Sequence, residues 1–285
     1  MQFKIREGRQ ADAGAAGMIC YEAFRTISQQ HGFEPDFPSF EVARDLLLGL
    51  LSRPDVYSVV AESEGRIIGS NFLWQDSAIA GIGPLTVIPE TQSDRVGRGL
   101  MEDVLEHARN KHFAGVRLVQ AAYNNRSLSL YTKLGFEVRE PLATLQGAPL
   151  QIDISGYNVR PARAEDANAC DALCRKIHGH DRGQELRHAI GQQTAMVVEH
   201  GGHITGYATL IGFTGHAVGE SNEDLKALIG AAAAFAGPGF LLPTHNSELF
   251  RWCLQQGLRV VQPMNLMSLG LYNQPAGSFL PSILF

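Results

Sequence analysis

Two stretches of this chain are imperfect copies of each other, and that repeat limits what the chain can fold into. GVRLVQAAYNNRSLSLYTKLGFEVREP set beside PGFLLPTHNSELFRWCLQQGLRVVQP puts Asn124, Gly135 and Pro141 on Asn246, Gly257 and Pro263, each 122 residues further on. Upstream, VVAESEGRIIGS pairs with MVVEHGGHITGY, Gly69 on Gly206 at a spacing of 137, and FKIREGRQADA pairs with YNVRPARAEDA, Arg6 on Arg160 at 154. A spacing that shrinks along the chain means two copies of one fold, the second shortened between matching elements. At roughly 140 residues each, the copies are of ordinary domain size. The boundary is expected between Leu150 and Gly156, giving domains 1–150 and 157–285.

Hydrophobic periodicity fills in the elements. Each copy opens with a short strand and a helix, runs through a hairpin to a longer helix, and closes with strand, helix and strand. In the first copy Asp12 is a plausible N-cap before a helix with Ile19, Ala23 and Ile27 on one face, and Ser39 caps a second helix carrying Ala43, Leu46, Leu47 and Leu50. Val56–Glu62 and Ile67–Trp74 read as strands around a Glu64-Gly65 turn, and a third strand is expected over Ile79–Val87. From Val96, Leu100, Met101, Val104, Leu105 and Ala108 recur at helical spacing. The fold class is therefore α/β, each copy a twisted mixed sheet flanked by helices.

The turn between that third strand and that helix carries chemistry. A helix start exposes unpaired N–H groups and a partial positive charge, which together hold an anion. Gly97 and Gly99 let the backbone come close to it. Pro89, Gln92, Arg95 and Gly97 follow a Pro-x-x-Gln-x-x-x-x-Gly spacing, and a second block, NNRSLSLYTKLGFEV, sets Asn124, Ser127, Leu130, Tyr131, Lys133, Gly135 and Phe136 on a short helix ended by Gly135. The two blocks, in this order, resemble the cofactor motifs of the GNAT (GCN5-related) N-acetyltransferase superfamily. The chain departs from the family at Arg95, where a glycine is usual. Arg95 either keeps the backbone from the phosphates or adds a guanidinium to them, and the second reading is favoured because arginine suits phosphate recognition.

The resemblance implies two tandem GNAT-like acyl-CoA N-acyltransferase folds and acetyl-CoA as cosubstrate. It implies coenzyme contacts from Leu85, Thr86 and Val87, from the loop Gln92, Ser93, Asp94, Arg95, Val96, Gly97, Arg98 and Gly99, and from Asn124, Ser127 and Tyr131. It also implies that a backbone N–H of about Thr86–Ile88 polarises the thioester carbonyl and that Tyr131 is the general acid at the coenzyme sulfur. Transfer to a primary amine, from a small molecule or a peptide, then needs a base. An alkylamine with pKa about 10.4 is roughly three units too protonated at neutral pH, a cost near 4 kcal/mol. No Glu or Asp lies between Ile79 and Ile88, so Glu22 and Asp76 are the candidates for that base.

The second copy reads GHAVGESNEDLKAL where the first has its phosphate loop, so Glu220, Glu223 and Asp224 crowd the helix start and repel a diphosphate. Cys253 stands where the first copy has Tyr131. The second copy is therefore expected to be degenerate, with a structural or substrate-side role.

Composition closes off other classes. A net charge of −5 lacks the basic footprint of a nucleic-acid binder. No apolar run approaches the roughly 20 residues of a membrane span, so a cytoplasmic protein, monomeric or homodimeric, is expected. Cys20, Cys170, Cys174 and Cys253 have no CxxC spacing, and HGHD at 178–181 lacks a third ligand, so no metal is expected. VGRGL lacks the third glycine and the acidic residue of a dinucleotide fold. The competing reading is a non-catalytic sensor that binds acetyl-CoA or a metabolite and signals through the second domain. Tyr131 favours the enzyme, because a sensor has no need of a proton donor at sulfur.

Overall fold

The computed structural model describes residues 2–91 and 94–284. Contacts divide the chain into two compact units, Met1–Leu118 with Asn124–Gly135, and Val119–Tyr123 with Phe136–Phe285.

The first unit runs β1 (Lys4–Glu7), α1 (Ala13–Gln30), α2 (Phe40–Ser52), β2 (Val56–Ser63), β3 (Arg66–Trp74), β4 (Ile79–Ile82), β5 (Thr86–Val87), α3 (Val96–Asn110), the start of β6 (Gly115–Ala121), and α4 (Asn125–Lys133). β1, β2, β3 and β4 pair antiparallel in that order, and β4 pairs parallel with β6. The strand expected over Ile79–Val87 is broken in two. Gly83 sits at φ 144° and Pro84 has no N–H to give a ladder, so pairing stops between Ile82 and Thr86. Beyond the break, β4 keeps β6 as a neighbour, whereas β5 pairs with β3 through Gly69↔Val87 and Ser70↔Thr86. That break opens the edge on which the site is built.

Ser39 caps α2 by accepting from Val42 N at 3.5 Å. Asp12 has a different task from the expected cap. Its carboxylate takes both guanidinium nitrogens of Arg6 at 2.8 Å and the Arg9 N–H at 2.8 Å, and no side-chain cap forms at α1. α3 buries Val96, Leu100, Met101, Val104, Leu105 and Ala108, the face its periodicity marked out.

The second unit contains β7 (Glu137–Gln146), β8 (Asn158–Pro161), α5 (Ala167–His178), α6 (Gly183–Gly191), β9 (Met196–His200), β10 (His203–Ala208), β11 (Ala217–Gly219), α7 (Asn222–Ala231), β12 (Phe240–Pro243), α8 (Ser247–Gln255), β13 (Arg259–Gly270) and β14 (Ser278–Leu280). Its five-stranded sheet has the order β14-β11-β10-β9-β8, antiparallel throughout. The Arg6 arrangement recurs at the aligned positions. Arg160 spans both oxygens of Asp166 at 2.7 and 2.9 Å and holds Glu199 at 2.7 Å, just as Arg6 also holds Glu62 at 2.8 Å.

The expected boundary at 150–156 lies inside this second unit. β7, which the repeat numbers with the first copy, takes β13 on one side, from Glu137↔Ser268 to Gln146↔Arg259, and β12 on the other. Gln120, Ala122 and Tyr123 bond to Asn265, Pro263 and Gln262, and so count with it. Sequence order and packing thus divide the chain differently, because a strand belongs with the ladder that satisfies its backbone. The core here gathers Leu145, Phe240 and Leu242 with Leu225, Leu228, Leu249 and Cys253.

Among the described residues no helix is long and apolar enough to cross a membrane.

Candidate active site

The site is built on the side of β5 turned away from β3. Ile88 N–H donates to Ile68 O at 3.0 Å, and antiparallel pairing alternates direction, so the intervening Val87 peptide turns away from β3. Thr86 is held by its hydroxyl at 3.3 Å from Ser70 Oγ, in the buried interior. Gly69 opposite is required. A Cβ there would come within 2.7 Å of Thr86 O.

The loop then enters α3 through Arg95, whose φ of 64° and ψ of 10° place it in the left-handed region. A non-glycine residue pays about 1 to 2 kcal/mol there. The glycine usual at this point has a local cause, and Arg95 adopts the glycine conformation without being one. Arg95 lines the cleft at the helix start. Gly99 N–H donates to Arg95 O, the first helical bond. A Cβ on Gly97 would meet Val87 Cγ2 at 3.6 Å and Leu130 Cδ2 at 3.7 Å, ordinary contact distances. The protein itself therefore does not need glycine at 97, and the space above it faces the cleft.

Opposite stands α4. Asn124 caps it, its side-chain oxygen accepting from Ser127 N at 3.1 Å, while Ser127 Oγ donates to Asn124 O at 3.0 Å. Tyr131, in the last turns of this helix, is 8% exposed and borders the cleft. Burial pushes its phenol above the ordinary tyrosine range, because the phenolate would lie in apolar surroundings. Tyr131 therefore stays protonated through neutral and mildly alkaline pH.

These walls enclose a cleft of about 1430 Å³, lined wholly by residues of the first unit. The model for the Acetyltransferase (GNAT) family matches residues 20–136, the segment that forms nearly all of it. Residues 20–136 are the part of the chain that is similar to this acetyltransferase family. An IAA acetyltransferase of Azospirillum brasilense is 28% identical over 108 residues, 37% of this chain and 70% of the relative. Over nearly the whole length, a candidate acetyltransferase from Pyrococcus horikoshii is similar in fold, with TM-score 0.73 and 18% identity across 97% of this chain and 94% of that one. A GCN5-related N-acetyltransferase from Sphaerobacter thermophilus gives TM-score 0.60 and 15% identity across 95% and 96%. The protein is an enzyme of acetyl-CoA-dependent acetylation.

Within the GNAT cleft, Leu85, Thr86, Val87, Asp94, Arg95, Gly97, Arg98, Gly99, Asn124, Ser127 and Tyr131 all line the wall. Gln92 and Ser93 lie outside the described residues. Val96 does not line it. Its side chain is fully buried in the core, so only its backbone can serve a phosphate. The expected bases are elsewhere. Glu22 turns to Arg25 at 2.6 Å, and Asp76 sits in the bend between β3 and β4; neither is on the wall. The wall instead includes Ala23, Phe24, Thr26, Ile27, Gln30 and His31 of the α1 face and its C-terminal cap. Sequence reading placed Ile19, Ala23 and Ile27 on one face of this helix. Only Ile19 of the three is buried. The i, i+4 spacing of Ala23, Ile27 and His31 was the available signal.

The second unit treats the equivalent ground differently. Eight residues, 88–95, separate β5 from α3, but only Glu220 and Ser221 separate β11 from α7. Asp224, 1% exposed, accepts from Ser221 N and Oγ at 2.8 Å and from Thr205 Oγ1, so a carboxylate closes the start of α7. β14 covers the edge of β11 through Ala217↔Leu280, Val218↔Phe279 and Gly219↔Ser278. Asn246 caps α8 as Asn124 caps α4, accepting from Leu249 N at 3.3 Å. Cys253 is wholly buried. Among the described residues no group of three His, Cys, Asp or Glu is arranged to hold a metal ion.

Proposed function

We propose that the protein transfers an acetyl group from acetyl-CoA to a primary amine by direct attack, using residues 1–150 for coenzyme and catalysis. The observation that carries this reading is one cleft bordered by the side of β5 turned away from β3, a helix start with arginines beside it, and a buried tyrosine. The N-terminus of α3, with Arg95 and Arg98, receives the pyrophosphate. The Val87 peptide, turned away from β3, polarises the thioester carbonyl, where developing negative charge strengthens the bond.

Tyr131 stands at the sulfur. Raising its phenol above the usual range makes it a weaker acid, further from a thiol whose ordinary pKa is about 8.5. Its contribution is thus a hydrogen bond to the departing thiolate, with complete transfer following as solvent returns. The same shift has a sign in pH. Because the proton stays on Tyr131 well into alkaline pH, its ionisation sets no alkaline limb to the rate in the ordinary working range. The second copy, 157–285, is a degenerate GNAT-like domain, since the loop is cut to two residues and Asp224 occupies the helix start. Its role is structural or on the substrate side.

Calorimetric titration with acetyl-CoA is expected to give one site per chain, and thiol release with an amine panel is expected to show turnover. Tyr131→Phe should lower turnover by about 10² with acetyl-CoA affinity nearly unchanged. Binding without any turnover would overturn the enzyme reading in favour of a sensor. Two sites per chain would overturn the assignment of a degenerate second copy.

A further inference from the structure

Two polar residues stand side by side in the apolar centre of β3. From Ile67 to Trp74 the strand reads IIGSNFLW, and Ser70 and Asn71 are fully buried. A buried polar side chain costs free energy unless it is hydrogen-bonded, and apolar residues of the same shape would pack here without that cost. Consecutive strand residues point to opposite faces, so the two serve different neighbours. Ser70 serves β5. It stands directly opposite Thr86 in the ladder, and the two buried hydroxyls lie 3.3 Å apart, each the partner of the other among the described residues. β5 is two residues long, held to β3 by Gly69↔Val87 and Ser70↔Thr86 and by the Ile88 N–H bond to Ile68 O. So short a ladder resists tilting weakly, and the hydroxyl pair adds a directed bond to it.

Asn71 serves α3, and it also satisfies a backbone group at the break between β4 and β5. In a regular antiparallel pair Phe72 would exchange both backbone bonds with Gly83. Gly83 N–H does donate to Phe72 O at 3.0 Å, but Gly83 O accepts from Trp74 Nε1 at 2.9 Å. Phe72 N–H donates instead to Asn71 Oδ1, at 2.9 Å. The Asn71 amide in turn donates to Leu100 O at 3.3 Å and lies 3.5 Å from Met101 Sδ, both in the second turn of α3.

Hydrophobic contact has no direction, whereas a hydrogen bond fixes one atom against another. Building on the acetyltransferase reading above, we infer that Ser70 and Asn71 are positioning residues for the transfer. Ser70, through Thr86, sets β5 beside the thioester. Asn71, through Leu100, sets the start of α3 beneath the pyrophosphate. Neither lines the cleft, so each acts through the wall it holds. One strand thereby fixes the distance between the part of the site that takes the phosphates and the part that polarises the carbonyl. A misplacement of about 1 Å in such an arrangement costs up to about 10²-fold in rate.

The test uses the full chain and acetyl-CoA isotope-labelled at the thioester carbonyl. Infrared spectroscopy reads the carbonyl stretch and calorimetry reads affinity, so the acceptor amine is not needed. Binding to the parent should lower the stretching frequency, the sign of a polarised carbonyl. Ser70→Ala should lose about half or more of that shift, with acetyl-CoA affinity nearly unchanged. Asn71→Leu should weaken acetyl-CoA binding about tenfold and keep the shift in the bound fraction. Should Asn71→Leu not fold, Asn71→Ala gives the same affinity reading. The double variant Ser70→Ala with Thr86→Val leaves neither hydroxyl unpaired, so its melting temperature should recover towards that of the parent. Its carbonyl shift should nevertheless stay as small as in Ser70→Ala. A shift that returns together with stability would overturn the inference, because Ser70 would then act on folding alone. A parental shift in Ser70→Ala, or parental affinity in the Asn71 variant, would overturn it too and leave the acetyltransferase reading standing. Absence of acetyl-CoA binding, or of any carbonyl shift, in the parent would instead sink that underlying reading.

Discussion

β5 and β11 occupy matching places in the repeat, yet one borders a cleft and the other is covered by a further strand. Both pair antiparallel with the second strand of the preceding hairpin, β5 with β3 through Gly69↔Val87 and β11 with β10 through Gly206↔Gly219. Both depend on a glycine in that neighbour. A Cβ on Gly69 would strike Thr86 O at 2.7 Å, and one on Gly206 would strike Val198 Cγ1 at 2.7 Å. Past this shared frame they part. Among the described residues β5 has β3 as its strand partner, and it borders the cleft. β11 is closed on that side by β14, and Asp224 fills the helix start that follows. An unpaired edge with exposed N–H groups is a liability unless a ligand or a strand covers it. In the second region the protein's own chain, as β14, covers that edge.

The comparison can be broken at several points, and the largest effect concerns the strands that join the ladders. Ending the chain after Gly156 leaves β7 without β12 and β13, its partners on both sides. The fragment is expected to be insoluble or to lose cooperative melting, even though its length covers a complete repeat. A soluble fragment with a sharp melting transition would show that β7 finds a new partner, and the repeat would then be the better guide to folding units.

A smaller effect separates binding from folding. Gly97→Ala introduces a Cβ at ordinary contact distance from Val87 and Leu130, so its melting temperature should stay within a few degrees of the parent. Acetyl-CoA affinity should fall about tenfold or more, since the added methyl occupies the space a phosphate approaches. Gly206→Ala should do the reverse, destabilising the fold by about 1 to 3 kcal/mol with the coenzyme affinity of the folded protein unchanged. Calorimetry alongside thermal melts reads both. Equal affinity for Gly97→Ala and the parent would remove this loop from the coenzyme site.

The smallest effect probes what the two regions have in common. Arg6 holds Asp12 below the ordinary carboxylate range, chiefly through its hydrogen bonds, and Arg160 does the same to Asp166. A lowered carboxylate pKa adds stability that is fully present above the unfolded value, about 3.9, and is lost as pH falls through the folded value. Asp12→Asn and Asp166→Asn should each cost about 1 kcal/mol at pH 7, the scale of a partly exposed pair. The cost should fade below about pH 4. Denaturant melts across pH 2.5 to 7 check this. A cost at one position and not the other would mean that the repeated clamp carries load in only one region.

Much of the site was legible in the residues. Pro89, Gly97, Gly99, Asn124 and Tyr131 are read directly, because a phosphate loop and a capped helix are local structures whose requirements fall on consecutive residues. The repeat was legible for the same reason, as Arg6 and Arg160 with their aspartates six residues later make the same local clamp. Arg95 was visible as a departure, but its left-handed backbone was not, since only the helix geometry beyond it reveals the φ it must adopt. Glu22 illustrates the limit. It lies one residue from Ala23 on α1, yet it turns to Arg25 while Ala23 borders the cleft, a difference of about 100° around a helix that only packing can orient.

Sequence alone, then, determined most of the elements and the recurrence of the Arg6 and Arg160 clamps, because each rests on contacts between residues close in the chain. Tertiary structure decided which strand completes which ladder. β7 sits between β12 and β13, and β14 rather than a ligand lies on β11. Backbone hydrogen bonds between strands carry no side-chain code of their own. Partners far apart in sequence are therefore settled by which pairing buries the most apolar surface with every polar group satisfied.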